Sequence, residues 1–188
     1  MTVLQHQRIK GLIELYHILE NYDLDNVGPA SYELRIGSAL SSNDKKGQEI
    51  EIGEEFVIRP NSHLLIGTLE KVKMPNNMIG TMFLKSKFGR GGFIPWGQGM
   101  VDPGYEGTLT LSLLNLTQYP QILRGGDKIC HLIFQNLEGE TDKPYDGVYK
   151  GSEGAIGPAE KRMKIFGDVV NATISGVAGG LAQGAISG

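Results

Sequence analysis

Residues 99–115 read G-M-V-D-P-G-Y-E-G-T-L-T-L-S-L-L-N. Pro103 sets φ for the first corner of a turn and Gly104 can take the positive φ that follows. Asp102 to Tyr105 therefore predicts a tight turn between two strands, read as a hairpin. Beyond it Leu109, Leu111 and Leu113 alternate with Thr108, Thr110 and Ser112, the period of a half-buried strand. A carboxylate at the root of such a turn is held rigidly. It can orient a water or a hydroxyl, and a ring three residues on, Tyr105, can cover the flat face of a small molecule. Asp102 can equally do no more than cap its own turn. This stretch alone leaves both readings open.

On the N-terminal side, Ile79 to Leu84 continues the strand texture and breaks into K-S-K-F-G-R-G-G at 85–92. Three cations, a hydroxyl and glycines supply point charges, a donor and exposed N–H groups, the ingredients of a phosphate cradle. A solvated glycine turn with ordinary surface lysines has the same composition. Further back, His63 to Glu70 reads as a more fully buried strand, and Arg59 to Ser62 as a turn. Glu49 to Ile58 is strand-like and Ser41 to Gly47 a polar loop. Tyr32, Leu34 and Ile36 alternate with charged neighbours as a half-buried strand does, whereas Ile9, Leu12, Ile13, Tyr16 and Leu19 recur at helical spacing and predict one amphipathic helix over 5–20.

On the C-terminal side, Ile122 to Lys128 reads as a turn and Ile129 to Phe134 as a strand carrying His131. A lone His in a strand is more often structural than a ligand. Tyr145 to Pro158 has turn residues throughout and little to bury, so an arm or lid is expected. Many short strands behind one leading helix argue for a mainly β barrel or sandwich.

The chain has 188 residues, a length that suits one domain with a real core. A net charge of −3 without a basic block lacks the footprint of a nucleic-acid binder. The single cysteine, Cys130, cannot form an internal disulfide and has no Cys or His neighbour at metal-ligand spacing except His131. It is expected to pack in a strand, in a reducing compartment. Met1 is not followed by a basic and then apolar run, so no secretory leader is expected and a cytoplasmic setting follows, without a membrane partner. From Ala172 onward no residue is charged, and Gly176, Gly180, Gly184 and Gly188 fall four apart. On a helix these would form one small-residue face, suited to a tight trimer stalk, a dock for a protein partner through 165–188, or a weak membrane-inserting helix. A floppy Gly/Ala/Ser tail has the same composition. The expected division is a β domain over 1–158 and a tail over 159–188.

Five segments taken in order resemble the trimeric dUTPase and dCTP deaminase superfamily. S-Y-E-L-R-I-G at 31–37 is similar to the entry strand of the deaminase branch, K-S-K-F-G-R at 85–90 to its phosphate loop, and V-D-P-G-Y-E-G at 101–107 to the hairpin of both branches. R-G-G-D-K-I-C-H-L-I-F at 124–134 resembles a further strand, and Y-K-G-S-E-G-A at 149–155 the glycine-rich C-terminal arm. The resemblance implies a distorted β-barrel of jelly-roll or β-clip type, homotrimeric, with nucleotide sites between subunits. It implies that Asp102 lies by the sugar 3′-hydroxyl and orients the attacking water, while Tyr105 packs on deoxyribose. Lys85, Ser86 and Arg90 would hold a triphosphate together with Mg²⁺, which has no direct protein ligand. Tyr149, Lys150 and Gly154 would close over it, and His131 stands where a glutamine is usual.

Departures from the family pattern shape the functional expectation. The deaminases carry a glutamate where this chain has Ser112, and a hydroxyl without a further base cannot activate water for attack on cytosine C4. Lys85 replaces an arginine and Lys87 a small residue, so the bidentate fork is lost while charge is kept. Glu33 stands for an aspartate. The expectation is a deoxynucleoside triphosphate pyrophosphatase of dUTPase type, converting dUTP to dUMP and pyrophosphate. The alternative is a lapsed trimer serving as a structural module, in a viral assembly for example, in host cytoplasm or virion. Deamination ranks third.

Overall fold

The computed structural model of the chain describes residues 2–41, 48–96 and 99–155. The tail over 159–188, its expected helix and its partner contact at 165–188 lie outside the described residues. In order the elements are β1 (Thr2–Val3), α1 (His6–Tyr16), β2 (Leu19–Glu20), a 3₁₀ turn (Leu24–Asn26), β3 (Tyr32–Ser41), β4 (Gln48–Glu49), β5 (Glu55–Ile58) and β6 (His63–Lys73). They continue as β7 (Met78–Leu84), α2 (Ser86–Arg90), β8 (Phe93–Pro95), β9 (Met100–Val101), β10 (Glu106–Asn115), β11 (Gln121–Arg124) and β12 (Lys128–Asn136).

The leading helix is shorter than its periodicity predicts. Ile9 and Ile13 are its buried face, one turn apart. His17 then adopts φ 50°, the left-handed conformation that closes a helix, and its N–H donates to Ile13 O. Ile18 and Leu19 are buried all the same, because Leu19 pairs with Val72 as β2 rather than extending the helix. A second correction falls on Ile122 to Lys128. Its first half is β11, paired antiparallel with β5 and carrying an Arg124–Glu55 ion pair, and only the remainder turns. Glu49 to Ile58 is strand only at its two ends, β4 and β5.

The main sheet runs β8-β10-β6-β3-β12-β7-β9, with β1, β2 and β4 adding to β12, β6 and β3. Its inner face carries Leu34, Ile36, Ile66, Leu111, Leu113, Leu132 and Phe134, none more than 1% exposed. Each such side chain contributes on the order of 1.5–3 kcal/mol through burial. Cys130 packs among them as expected, and burial, reinforced by the charge of Glu70, pushes its thiol up to about 12. The S-Y-E-L-R segment owes its form to a buried carboxylate: Glu70 accepts from Tyr32 OH at 3.2 Å, Arg35 N at 2.9 Å and Arg35 Nε at 2.7 Å. A carboxylate without solvent access requires such partners.

The turn at 102–105 forms, but the expected hairpin does not. β9 pairs with β7, while both edges of β10 are taken, by β6 and β8. The turn therefore bridges two distant parts of the sheet order, and the sheet must curl to let it do so. The result is a curled, mainly β architecture. Among the described residues no helix is long and apolar enough to cross a membrane.

Candidate functional site

Asp102 O accepts from Tyr105 N at 3.2 Å, and Gly104 has φ +77°, so Pro103 and Gly104 do take the two corners. Gly104 N donates to Met74 O at 2.9 Å and Met74 N to Tyr105 O at 2.8 Å, which clamps the turn against the end of β6. A Cβ on Gly104 would lie 2.7 Å from Pro144 Cβ, so glycine is required by space as well as by backbone angle. It is thus the main-chain carbonyl of Asp102 that closes the turn. Its half-buried side chain lines a cavity of 480 Å³ together with Leu65, Met82, Met100, Tyr105, Thr110, Tyr145, Tyr149 and Ser152.

Tyr105 is 8% exposed and its OH donates to Thr108 O at 2.6 Å. Burial pushes its phenol up to about 12, so it stays neutral. Its ring meets Tyr145 at 5.5 Å between centroids, giving the cavity an aromatic wall.

The segment at 145–155 is less open than its composition suggests. A register shift between Thr108 and Thr110 turns Leu109 N toward Thr68 Oγ1 and leaves Thr108 N to donate to Ser152 O at 2.9 Å. Thr108 Oγ1 bonds Ser152 O and Gly154 O, both at 3.2 Å, and Gly151 N donates to Glu106 O. Ser152 and Ala155 are buried. The arm is held because a bulge in β10 exposes the donors that receive it. Tyr149 reaches the Asp102 cavity, Lys150 Nζ donates to Tyr145 O at 3.2 Å, and Gly154 lines a separate cavity beside Ser38 and Lys71.

The basic segment is a one-turn helix, α2, rather than a loop. Lys85 is its N-cap residue without a side-chain cap bond, and Phe88 is its anchor, buried and edge-on to Phe93 at 6.2 Å. Lys85 Nζ is paired with the Glu33 carboxylate, which Lys128 Nζ also meets at 3.1 Å. Burial works against the charge on Glu33, but the hydrogen bonds from Lys85 and Lys128 outweigh it and hold its carboxyl below the usual range. His131 lies opposite Glu33 in the β12–β3 ladder, with Nδ1 3.2 Å from Ser31 Oγ. Burial and the Lys85 charge push its imidazole down, Glu33 opposing.

Within one chain the structure thus brings together Asp102, Tyr105 and Tyr149, and separately Lys85 with Glu33 beside His131. Ser86 and Arg90 belong to α2, and none of Lys85, Ser86 and Arg90 lines the Asp102 cavity. Sequence reasoning missed Tyr145 and Thr110 as lining residues. It also missed His63, whose Nε2 stands 2.5 Å from Ser112 Oγ. Parity along β6 and β10 was the available signal, but only with their register known.

The sequence model of the family described as dCTP deaminase-like matches residues 3–137. The chain belongs to that family. It is 37% identical over 141 residues to a dCTP deaminase of Thermococcus sibiricus, covering 72% of this chain and 86% of that one. It is equally 37% identical, over 131 residues, to a probable deoxyuridine 5′-triphosphate nucleotidohydrolase of Sulfolobus islandicus rod-shaped virus 1, covering 69% and 80%. The crystal structure of 2′-deoxycytidine 5′-triphosphate deaminase from Agrobacterium tumefaciens superposes with a TM-score of 0.61 at 21% identity. That match takes in 71% of this chain and about half, 47%, of the other, and it speaks for the fold.

Proposed function

We propose that the protein hydrolyses a deoxynucleoside triphosphate to the monophosphate and pyrophosphate, as a dUTPase does, and works as a homotrimer. The observation that carries this reading is the cavity at the turn, where a half-buried carboxylate and a neutral, buried tyrosine wall stand together. A pocket of 480 Å³ suits a nucleoside. Asp102 would orient water and take its proton as the water attacks phosphorus in line with the leaving pyrophosphate. Tyr105 and Tyr145 would pack on the sugar, and Tyr149 would exclude solvent.

Triphosphate recognition falls to Lys85, Ser86, Arg90 and Lys150, with His131 alongside. Because the first three lie off the cavity in their own chain, a neighbouring protomer would supply them. Among the described residues no cluster of His, Cys, Asp and Glu could hold a metal ion. In this reading Mg²⁺ would enter on the phosphate oxygens, where it would neutralise charge. The test is pyrophosphate release from dUTP with Mg²⁺, using Asp102→Asn as control. Turnover no greater than that control would sink the proposal.

One observation favours a second reading, a lapsed trimer kept as a structural module. Lys85, the first cation of the phosphate segment, is already neutralised by Glu33. Failure of dUTP and dCTP to bind at all would select it.

A further inference from the structure

Ser152 of the arm lines the Asp102 cavity, and the next two residues, Glu153 and Gly154, line another, of 610 Å³. Ile50, Ile52 and Leu69 give this second cavity an apolar wall, and Ile52 is left 72% exposed. Ser38 lines it too. That residue is 4% exposed, and its Oγ has no hydrogen-bond partner. A buried hydroxyl left so is costly, and it calls for a donor or acceptor that the described residues do not supply.

The chain itself arrives at this place. A Cβ on Gly67 would stand 2.3 Å from Gly154 C and 2.4 Å from Ala155 N, so the arm crosses β6 in the space which that glycine leaves open. Ala155 is buried there, and Ile156 follows it covalently. Beyond Ile156 come Lys161, Arg162 and Lys164, the only Lys or Arg residues after Ala155. The opposite charge stands beside the cavity. Glu51 lines it, and Glu54 Oε2 accepts from Glu51 N at 3.0 Å, which bunches the two carboxylates. Gly53 N donates to Gly125 O and Gly125 N to Glu54 O, both at 2.9 Å, so the acidic segment is fixed against the turn before β12. Glu153 and Glu55 are paired with Lys71 and Arg124, whereas Glu51 and Glu54 have no ion pair among the described residues.

We propose that the cavity beside Ser38 is the seat of this chain's own residues 156–164. Ile156 fills the space among Ile50, Ile52 and Leu69, its main chain supplies the hydrogen bond that Ser38 Oγ lacks, and the three cations lie on Glu51 and Glu54. The stretch from Ala155 to Lys161 spans at most about 20 Å, and attachment beside the cavity gives the segment an effective concentration on the order of millimolar. The arm is then fastened beyond its last described residue. Since Tyr149 of the same arm lines the Asp102 cavity, the seat steadies one wall of that cavity from outside it, whatever reaction the cavity performs.

Limited trypsin digestion of the full chain tests this, because trypsin cuts after Lys161, Arg162 and Lys164 and a seated segment shields them. Ile156→Ser leaves those sites and the β domain intact, and should speed cleavage there about tenfold or more, since cleavage follows the population of the open form. Glu51→Gln combined with Glu54→Gln should speed it a few-fold at low salt, a difference that fades at high salt. Thermal melts of the variants would show that the β domain is folded in each. Wild-type cleavage as fast as that of Ile156→Ser would overturn the seat. The occupant is read by oxidising a protein with Glu51→Cys and Lys161→Cys, the native Cys130 being buried. A disulfide within one chain is expected; a disulfide joining two chains would overturn the proposal in favour of a second copy.

Discussion

The cavity beside Asp102 is assembled by one chain from several pieces of itself: the turn, the floor of β6 and β10, and the arm that folds back at 145–152. The basic segment at 85–90 is built in the opposite way. Its helix is anchored through Phe88, while its first cation is spent on Glu33 and Lys128 shares the same carboxylate. The first has walls but no Lys or Arg among its lining residues; the second has cations that do not line that cavity. The two regions differ in what they offer, and that difference is why the proposed nucleotide site would draw on two copies of the chain.

The largest expected effect falls on the cavity. Asp102→Asn should lower the rate of pyrophosphate release by about 10²- to 10⁴-fold, the usual worth of a positioned general base, with little change in folding. Steady-state kinetics beside a thermal melt would read both. Next comes the division between chains. If halves combine across protomers, Asp102→Asn and Arg90→Ala proteins refolded together should recover about a quarter of wild-type activity, because a random mixture pairs intact halves at that frequency. A mixture as inactive as its parts would end the two-copy picture.

A smaller effect is expected at Gly104. With φ +77° and Pro144 close by, Gly104→Ala should cost on the order of 2 kcal/mol in stability, seen as a lower denaturation midpoint. The smallest concerns Glu33. Glu33→Gln should release Lys85 and tighten triphosphate binding by a few-fold, measured by calorimetry.

The same substitution changes the acid response. The carboxyl of Glu33 is held low in the folded chain, so its contribution is present above about pH 4.3 and is lost as pH falls through the lower folded value. His131, also pushed down, acts in the same sense: below about pH 6.5 the unfolded chain binds the proton more readily. Acid unfolding should therefore be shallower in Glu33→Gln, and shallower near neutrality in His131→Gln.

Local chemistry made the turn legible. Pro-Gly fixed its corners and alternating leucines marked β10, whereas strand pairing across the sheet depends on distant partners, and the hairpin expectation failed there. The helix end was hidden because Ile18 and Leu19 keep the apolar rhythm while changing their structure. β11 was lost because four residues, Gln121–Arg124, are too few to show a period. The pairing of Lys85 with Glu33 spans 52 residues and that of His63 with Ser112 spans 49, so neither leaves a trace at short range. Asp102 and Tyr105 could be named from the turn and Tyr149 because resemblance supplied it; Tyr145 and Thr110 could not be named as lining residues.

The turn that bridges β9 and β10 carries one more consequence. Such non-local closure is slow, since chain entropy is lost before the contacts are made. The cavity can exist only once the distant strands have met, so it is a late product of folding. A ligand that fills it raises stability by RT ln(1 + [L]/Kd). A nucleotide in the proposed site would then set how long the turn between β9 and β10 stays closed, and its loss would show first as opening at Asp102.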